Sequence, residues 1–358
     1  MHSRDQQITL QPLAPFPARA LLARRSGEFY IAQHCRILRS VDEGASWSHV
    51  TTMPRRPIRR LAEASRLGSR LLRHEVKALG ILSDGSYVAA DREGVYHAAA
   101  GEPLMRPSRI EGGGRPARPP MTITVGPDDR ILWGEYLSKT GHNLAIRLYV
   151  SDDHGLSFQL ARVFEGGSIL HVHNLVYDER LRHYWVLTGD HDHEPGIGRL
   201  SADLEHFDWV AKGKQCYRAV EVFDFGDSLI YGTDSEREPN AVVRFDKTSG
   251  RVERLHELDG SCIYACQFGG LYVITTTVEV SRVNLSRNAS IWVSRDGEHW
   301  SQTLTARKDR WHLKLFQFGS FVLPRGASDK EVVLFSGQAL EGFDGKAFTA
   351  RVSGPSQR

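Results

Sequence analysis

An eight-residue pattern recurs along this chain and limits what it can fold into. Ser40-Val41-Asp42-Glu43-Gly44-Ala45-Ser46-Trp47 reads Ser-x-Asp-x-Gly-x-Ser-aromatic, and Ser151-Asp152-Asp153-His154-Gly155-Leu156-Ser157-Phe158 repeats it at the same spacing. Two worn copies follow: Ser201-Ala202-Asp203 running to Trp209, one residue longer, and Ser294-Arg295-Asp296-Gly297 running to Trp300, one shorter. The copies start at 40, 151, 201 and 294, and the gaps of 111, 50 and 93 are close to two, one and two steps of about 50 residues. A fixed period of that size marks a repeat architecture. Divided into 358 residues, it gives about seven copies, within the usual range for propeller blades.

The pattern has a mechanical meaning. The Asp carboxylate accepts hydrogen bonds from backbone N–H groups in a tight turn. The Gly takes a backbone conformation that other residues resist. The aromatic opens the next strand and packs inward. The motif is therefore a hairpin staple, and its residues are given no catalytic role. These motifs resemble the Asp boxes, or BNR repeats, of the sialidase superfamily of β-propellers. The resemblance implies a sialidase-like propeller scaffold; such turns also occur in propellers that are not sialidases.

Between the motifs the chain reads as short strands rich in Val, Ile, Tyr, Phe and Trp, separated by Gly and Asp, with no long helical period. Each unit shows one strand, a Gly/Asp turn and a second strand, as in VKALGIL, SDG and SYVAA. The expectation is an all-β, seven-bladed β-propeller (six-bladed as the alternative), with four antiparallel strands per blade. It forms one domain over 1–358, with insertions at about 54–74 and 107–120. Residues 55–73 hold seven arginines against one acid, Glu63, and read as a short basic helix, either a solvated connector or a guide for anions. Residues 107–120 are rich in Gly, Pro and Arg and read as an irregular loop or a lid over the channel.

The bulk properties narrow the class. A net charge of +3 is too small for a nucleic-acid footprint. No apolar run has the length of a signal peptide or a membrane span. The four cysteines, Cys35, Cys216, Cys262 and Cys266, match no zinc spacing or disulfide framework and read as reduced, buried thiols, which points to the cytoplasm.

Polar residues recur just before the first strand and just after the second. In an antiparallel hairpin those positions share one end, here one face of the disc. They are His34, Arg73, His74, Asp91, Arg92, Glu135, Tyr136, His171, His173, Asp190, His191, Arg218, Asp234, Glu279, His312 and Arg325. Carboxylates, histidines and arginines dominate, a mixture suited to acid/base chemistry on a charged or hydroxyl-rich ligand. The candidate catalytic residues are Glu135, Tyr136, His173, Asp190, Asp234 and Glu279. The candidate substrate-binding residues are Arg73, His74, Asp91, Arg218, His312 and Arg325. His171 and His173 face the same way on a strand, and with His191 or Asp190 they form a candidate set for Zn²⁺ or Mn²⁺. No cofactor is required by the pattern.

A sialidase-like activity implies three arginines gripping the substrate carboxylate, a Tyr–Glu nucleophilic pair and an Asp acid/base. Arg73, Arg218 and Arg325 offer an arginine cluster, and Tyr136 beside Glu135 offers the pair. The early Arg-Ile-Pro motif is replaced by Arg36-Ile37-Leu38, inside an expected strand. The leading expectation is a glycoside hydrolase acting on an anionic or hydroxyl-rich saccharide. The alternatives are a lyase using His173, Tyr136 and Arg218 for β-elimination on a uronate, or a non-catalytic glycan- or protein-binding propeller.

Overall fold

The computed structural model describes residues 8–54, 65–73, 75–137 and 143–353. Its strands follow one another as short antiparallel meanders, and helices are few. The first meander runs Arg19–Ala23, Phe29–Gln33, Arg36–Ser40 and Ser48–Thr52. The next five open with Ala78–Ile81, Thr124–Val125, His171–Asp178, Phe223–Asp224 and Ser261–Phe268.

The last sheet is made from both chain ends. Gly319–Val322 pairs with Val332–Gln338, which pairs with Ala347–Ser353, and the early strand Thr9–Pro12 adds outside, with Leu10 opposite Val352. Arg325–Ser328 lies parallel between the inner strands Arg19–Ala23 and Ser261–Phe268, with Leu22 opposite Arg325 and Gln267 opposite Ala327. Arg325–Ser328, which lies in the sequence between Gly319–Val322 and Val332–Gln338, thus bridges the first meander and the one that opens with Ser261–Phe268. In this propeller arrangement the N-terminal strand Thr9–Pro12 completes the last sheet and forms its outer edge.

The sheets pack face to face, so most strands are buried on both sides and read as near-continuous apolar runs. Leu132, Leu148, Val172, Leu175 and Val186 fill the space between the third and fourth meanders. Trp185, Leu187, Tyr231, Val243 and Phe245 fill the next. Truncating a fully buried side chain such as Trp185 to Ala costs about 3–5 kcal/mol.

The recurrent motif forms the turn between the third and fourth strands of its meander. Asp153 Oδ1 accepts from Ser157 N at 2.9 Å and Ser151 Oγ at 2.8 Å, while Gly155 N donates to Ser151 Oγ at 3.0 Å. Asp42 makes the equivalent bonds to Ser46 N and Ser40 Oγ. Gly155 has φ of 82° and Gly44 of 88°, the left-handed backbone the sequence requires there. In the two worn copies Asp203 accepts from Glu205 N, and Asp296 accepts from Glu298 N and His299 N.

Residues 55–64 and His74 of the basic insertion lie outside the described residues. The remainder forms a helix, α1, over Arg66–Leu72, capped by the Ser65 hydroxyl. Arg66 pairs with Glu75 and Asp344, and buried Arg70 pairs with Asp309 and donates to Phe316 O. These arginines are neutralised within the fold and are not available to guide an anion; Arg73 at the helix C-cap is the exception. The 107–120 segment is also more ordered than expected. Arg109–Ile110 pairs in parallel with Ser157 and Phe158, and Arg115 is anchored as described below.

Candidate functional site

Two local features build the site. The polar residues at the hairpin ends converge because of strand pairing: Asp234 N–H donates to Arg218 O at 3.0 Å, and His171 sits opposite Gly189. Glycines at the ends of second strands then let the next sheet come close. A Cβ on Gly134 would meet Val172 Cβ at 2.5 Å, and one on Gly189 would meet His173 Cε1 and Arg218 Cγ, both at 2.9 Å. The result is a central cavity of about 570 Å³. Tyr136, His171, Asp190, Arg218, Asp234 and Glu279, drawn from successive meanders, share its wall.

The centre of that wall is a buried network. Arg218 Nη2 lies 2.8 Å from Asp190 Oδ1 and 3.2 Å from Asp234 Oδ2. His171 Nε2 and His173 Nε2 lie 3.3 and 3.4 Å from the same Asp190 oxygen. Tyr136 stacks on His171 with ring centroids 4.1 Å apart.

The two aspartates are driven apart electrostatically. Burial opposes ionisation of Asp190, yet His171, His173 and Arg218 hold its carboxyl well below the usual carboxylate range. Burial pushes Asp234 up to about 8, with Arg218 pulling the other way and Glu279 and Asp190 adding to the rise. Asp234 Oδ1 is buried with no hydrogen-bond partner among the described residues.

A cationic arc completes the cavity. Arg73, Lys77 and Lys314 line it from the C-cap of α1, the start of the second meander and the short helix α2 over Leu313–Phe316. Arg73 is fixed by a bond to Lys314 O at 3.0 Å. Desolvation, then the cations Arg19, Arg73 and Arg92, push the Lys77 ammonium below its usual range, with Glu75 opposing. Arg19 and Arg325 also line the cavity but are compensated. Arg19 binds Glu75, Gln338 and Tyr264, and Arg325 pairs with Glu221.

No protein-family model matches the chain, and no curated protein matches it. Solved structures do. The WD40 β-propeller domain of Doa1 aligns with 100% of this chain and 95% of its own, at 10% identity and a TM-score of 0.55. YCF48 from Cyanidioschyzon merolae aligns over 96% and 99%, at 10% identity and 0.53. A chain of the mitotic checkpoint complex aligns over 98% and 94%, at 11% identity and 0.53. The chain shares the β-propeller fold with the first of these. At such identities the likeness carries the fold alone.

Of the expected site residues, Tyr136, His171, Asp190, Arg218, Asp234, Glu279, Arg73 and Arg325 reach the central cavity. His173 lies directly behind His171, with Nε2 atoms 3.0 Å apart. Others do not converge. Glu135 is fully buried, holding Arg115 through both oxygens at 2.8 Å and accepting from Arg118 N and Arg147 N. It is a structural anchor for the 107–120 loop, which is pinned rather than poised as a lid. Asp91 accepts from Glu93 N and Gly94 N within its own turn. His191 turns away from the histidine pair, with Nδ1 3.0 Å from Arg237 Nη2. Asp190 takes its place, because neighbouring residues along a strand end point to opposite sides. His312 lines a different cavity with Trp311, and His34 another with Arg66 and Glu75. Arg92 Nη1 donates to Leu72 O. His74 lies outside the described residues.

Arg19, Lys77, Lys314, Gln317 and Gln338 also line the cavity and lie outside the expected set. Lys77 falls inside the expected strand VKALGIL, whereas the observed strand begins at Ala78 and leaves Lys77 at the channel end. Gln317 and Gln338 depend on how the short helix and the closing sheet sit, and carry no local signal.

Proposed function

We propose that this chain is a seven-bladed propeller, with turns of the Asp-box kind, whose central channel binds an anionic, hydroxyl-bearing small ligand. A saccharide carrying a carboxylate is the class that fits. The observation that carries this reading is the division of one cavity into two arcs. Arg73, Lys77 and Lys314 supply cations at one side of the ring, while Asp190, Asp234 and Glu279 supply acceptors at the other. Cations that form no ion pair among the described residues seat a carboxylate, acids hold hydroxyl groups, and the Tyr136 ring, 37% exposed, offers a flat apolar face. Binding without turnover is the leading form of this reading. The expected Glu135–Tyr136 nucleophilic pair is lost to the Arg115 ion pair, and the propellers that share the fold do so without any implied chemistry.

Bond cleavage is the second reading, favoured by Asp234. A carboxyl held protonated near neutral pH is what proton donation to a leaving oxygen requires.

Calorimetric titration with a uronate disaccharide and its carboxyl-reduced counterpart tests the proposal. Preference for the uronate by roughly tenfold or more, lost in Lys77→Met, supports it; equal binding of the two, or none, overturns it. Following reducing ends and the ultraviolet absorbance of an unsaturated product in the same mixtures separates binding from hydrolysis and β-elimination.

A further inference from the structure

The inner strand His171–Asp178 carries two histidines whose ring nitrogens are sorted by the backbone. His171 Nδ1 lies 2.8 Å from Leu137 O, and His173 Nδ1 lies 2.9 Å from Ala219 O. A carbonyl oxygen only accepts, so each Nδ1 carries the proton, and each neutral ring then presents a lone pair on Nε2.

Those lone pairs converge. The Nε2 atoms are 3.0 Å apart, and Asp190 Oδ1 lies 3.3 and 3.4 Å from them. Three acceptor atoms so close repel one another unless a cation or a proton lies between. A point equidistant from the three in their plane is about 1.9 Å from each. An ion at the usual ~2.0–2.1 Å therefore sits just outside that plane, touching all three. The bond from Arg218 Nη2 at 2.8 Å uses the other lone pair of Asp190 Oδ1 and orients it, as outer partners of ligating carboxylates do. Charge favours the same conclusion: the carboxylates of Asp190 and Glu279 face the single guanidinium of Arg218 in this part of the wall.

We propose that His171 Nε2, His173 Nε2 and Asp190 Oδ1 hold one divalent first-row transition ion, its remaining coordination positions open to the channel. Two imidazoles and one carboxylate, with no thiolate, suit Zn²⁺ or Mn²⁺ rather than a soft monovalent ion or Ca²⁺. The carbonyl-bonded Nδ1–H groups are the outer contacts that fix ring orientation in such sites.

The test uses the full chain, stripped with chelator, dialysed and titrated with Zn²⁺ and with Mn²⁺ alone. One ion per chain is expected, with affinity lowered roughly tenfold or more by His171→Ala, His173→Ala and Asp190→Asn, and unchanged by His191→Ala. Circular dichroism establishes folding of each variant, and His171→Gln serves if His171→Ala fails to fold. Loading with Co²⁺ gives a second readout: two exchangeable Nδ1–H resonances should move far outside the usual proton range. The proposal is overturned if the wild-type chain takes up no stoichiometric ion, or if a folded His171 variant binds as tightly as wild type. It is equally overturned if the two rings keep a shared Nε2–H–Nε2 proton in the presence of metal.

Discussion

Glu135 grips Arg115 with both carboxylate oxygens at 2.8 Å, and does so with no exposed surface of its own. This pair ties the 107–120 segment to the end of the strand Ile131–Gly134. Removing one partner of a buried ion pair leaves the other uncompensated, at a cost of about 3–5 kcal/mol. Glu135→Gln is expected to lower stability in denaturant titrations and to speed amide exchange across residues 111–120. Unaltered exchange there would show that other contacts hold the loop.

Glu75 predicts the acid limit of the fold. It lies between Arg19 and Arg66. Burial raises its carboxyl, but the two arginines outweigh it and hold it near 2, against an ordinary value of 4.5. A folded value below the unfolded one contributes stability that is present at neutral pH and lost as the pH falls from 4.5 toward 2. The contribution is about 3 kcal/mol. Glu75→Gln is expected to lower the melting temperature at pH 7 and to flatten its fall over that acid range. A mutant curve parallel to wild type would contradict this.

Gly189 is required by close approach. A Cβ there meets His173 and Arg218 at 2.9 Å, and overpacking of that kind costs about 1–3 kcal/mol. Gly189→Ala is expected to weaken channel binding more than it lowers the melting temperature, because the atoms displaced belong to the site.

Asp153 separates scaffold from site. Its bonds to Ser151 and Ser157 hold a turn at the outer edge of its meander. Asp153→Ala is expected to cost about 1–2 kcal/mol in unfolding experiments and to leave channel binding unchanged.

Much of this was legible in local sequence. The turn motif gave its own hydrogen bonding, and hairpin-end positions located His171, Asp190, Arg218 and Asp234. What was not legible depended on distant chain. The role of Glu135 is decided by Arg115, which reaches it from an irregular loop. Alternation along the strand end turns His191 away from Asp190, but its partner there, Arg237, comes from 46 residues away. The closing strand Thr9–Pro12 is too short to announce its partner at the other chain end. The four cysteines are free, as their spacing suggested. No described helix is long and apolar enough to cross a membrane.

The proposed channel seats an anion against Arg73, Lys77 and Lys314. The most direct measurement is a crystal structure of the chain soaked with a uronate disaccharide. Density is expected in the central cavity, with the carboxylate on those cations and hydroxyl groups toward Asp190, Asp234 and Glu279. Density confined to the cavity lined by Trp311 and His312, or a carboxylate turned away from Lys77, would contradict it.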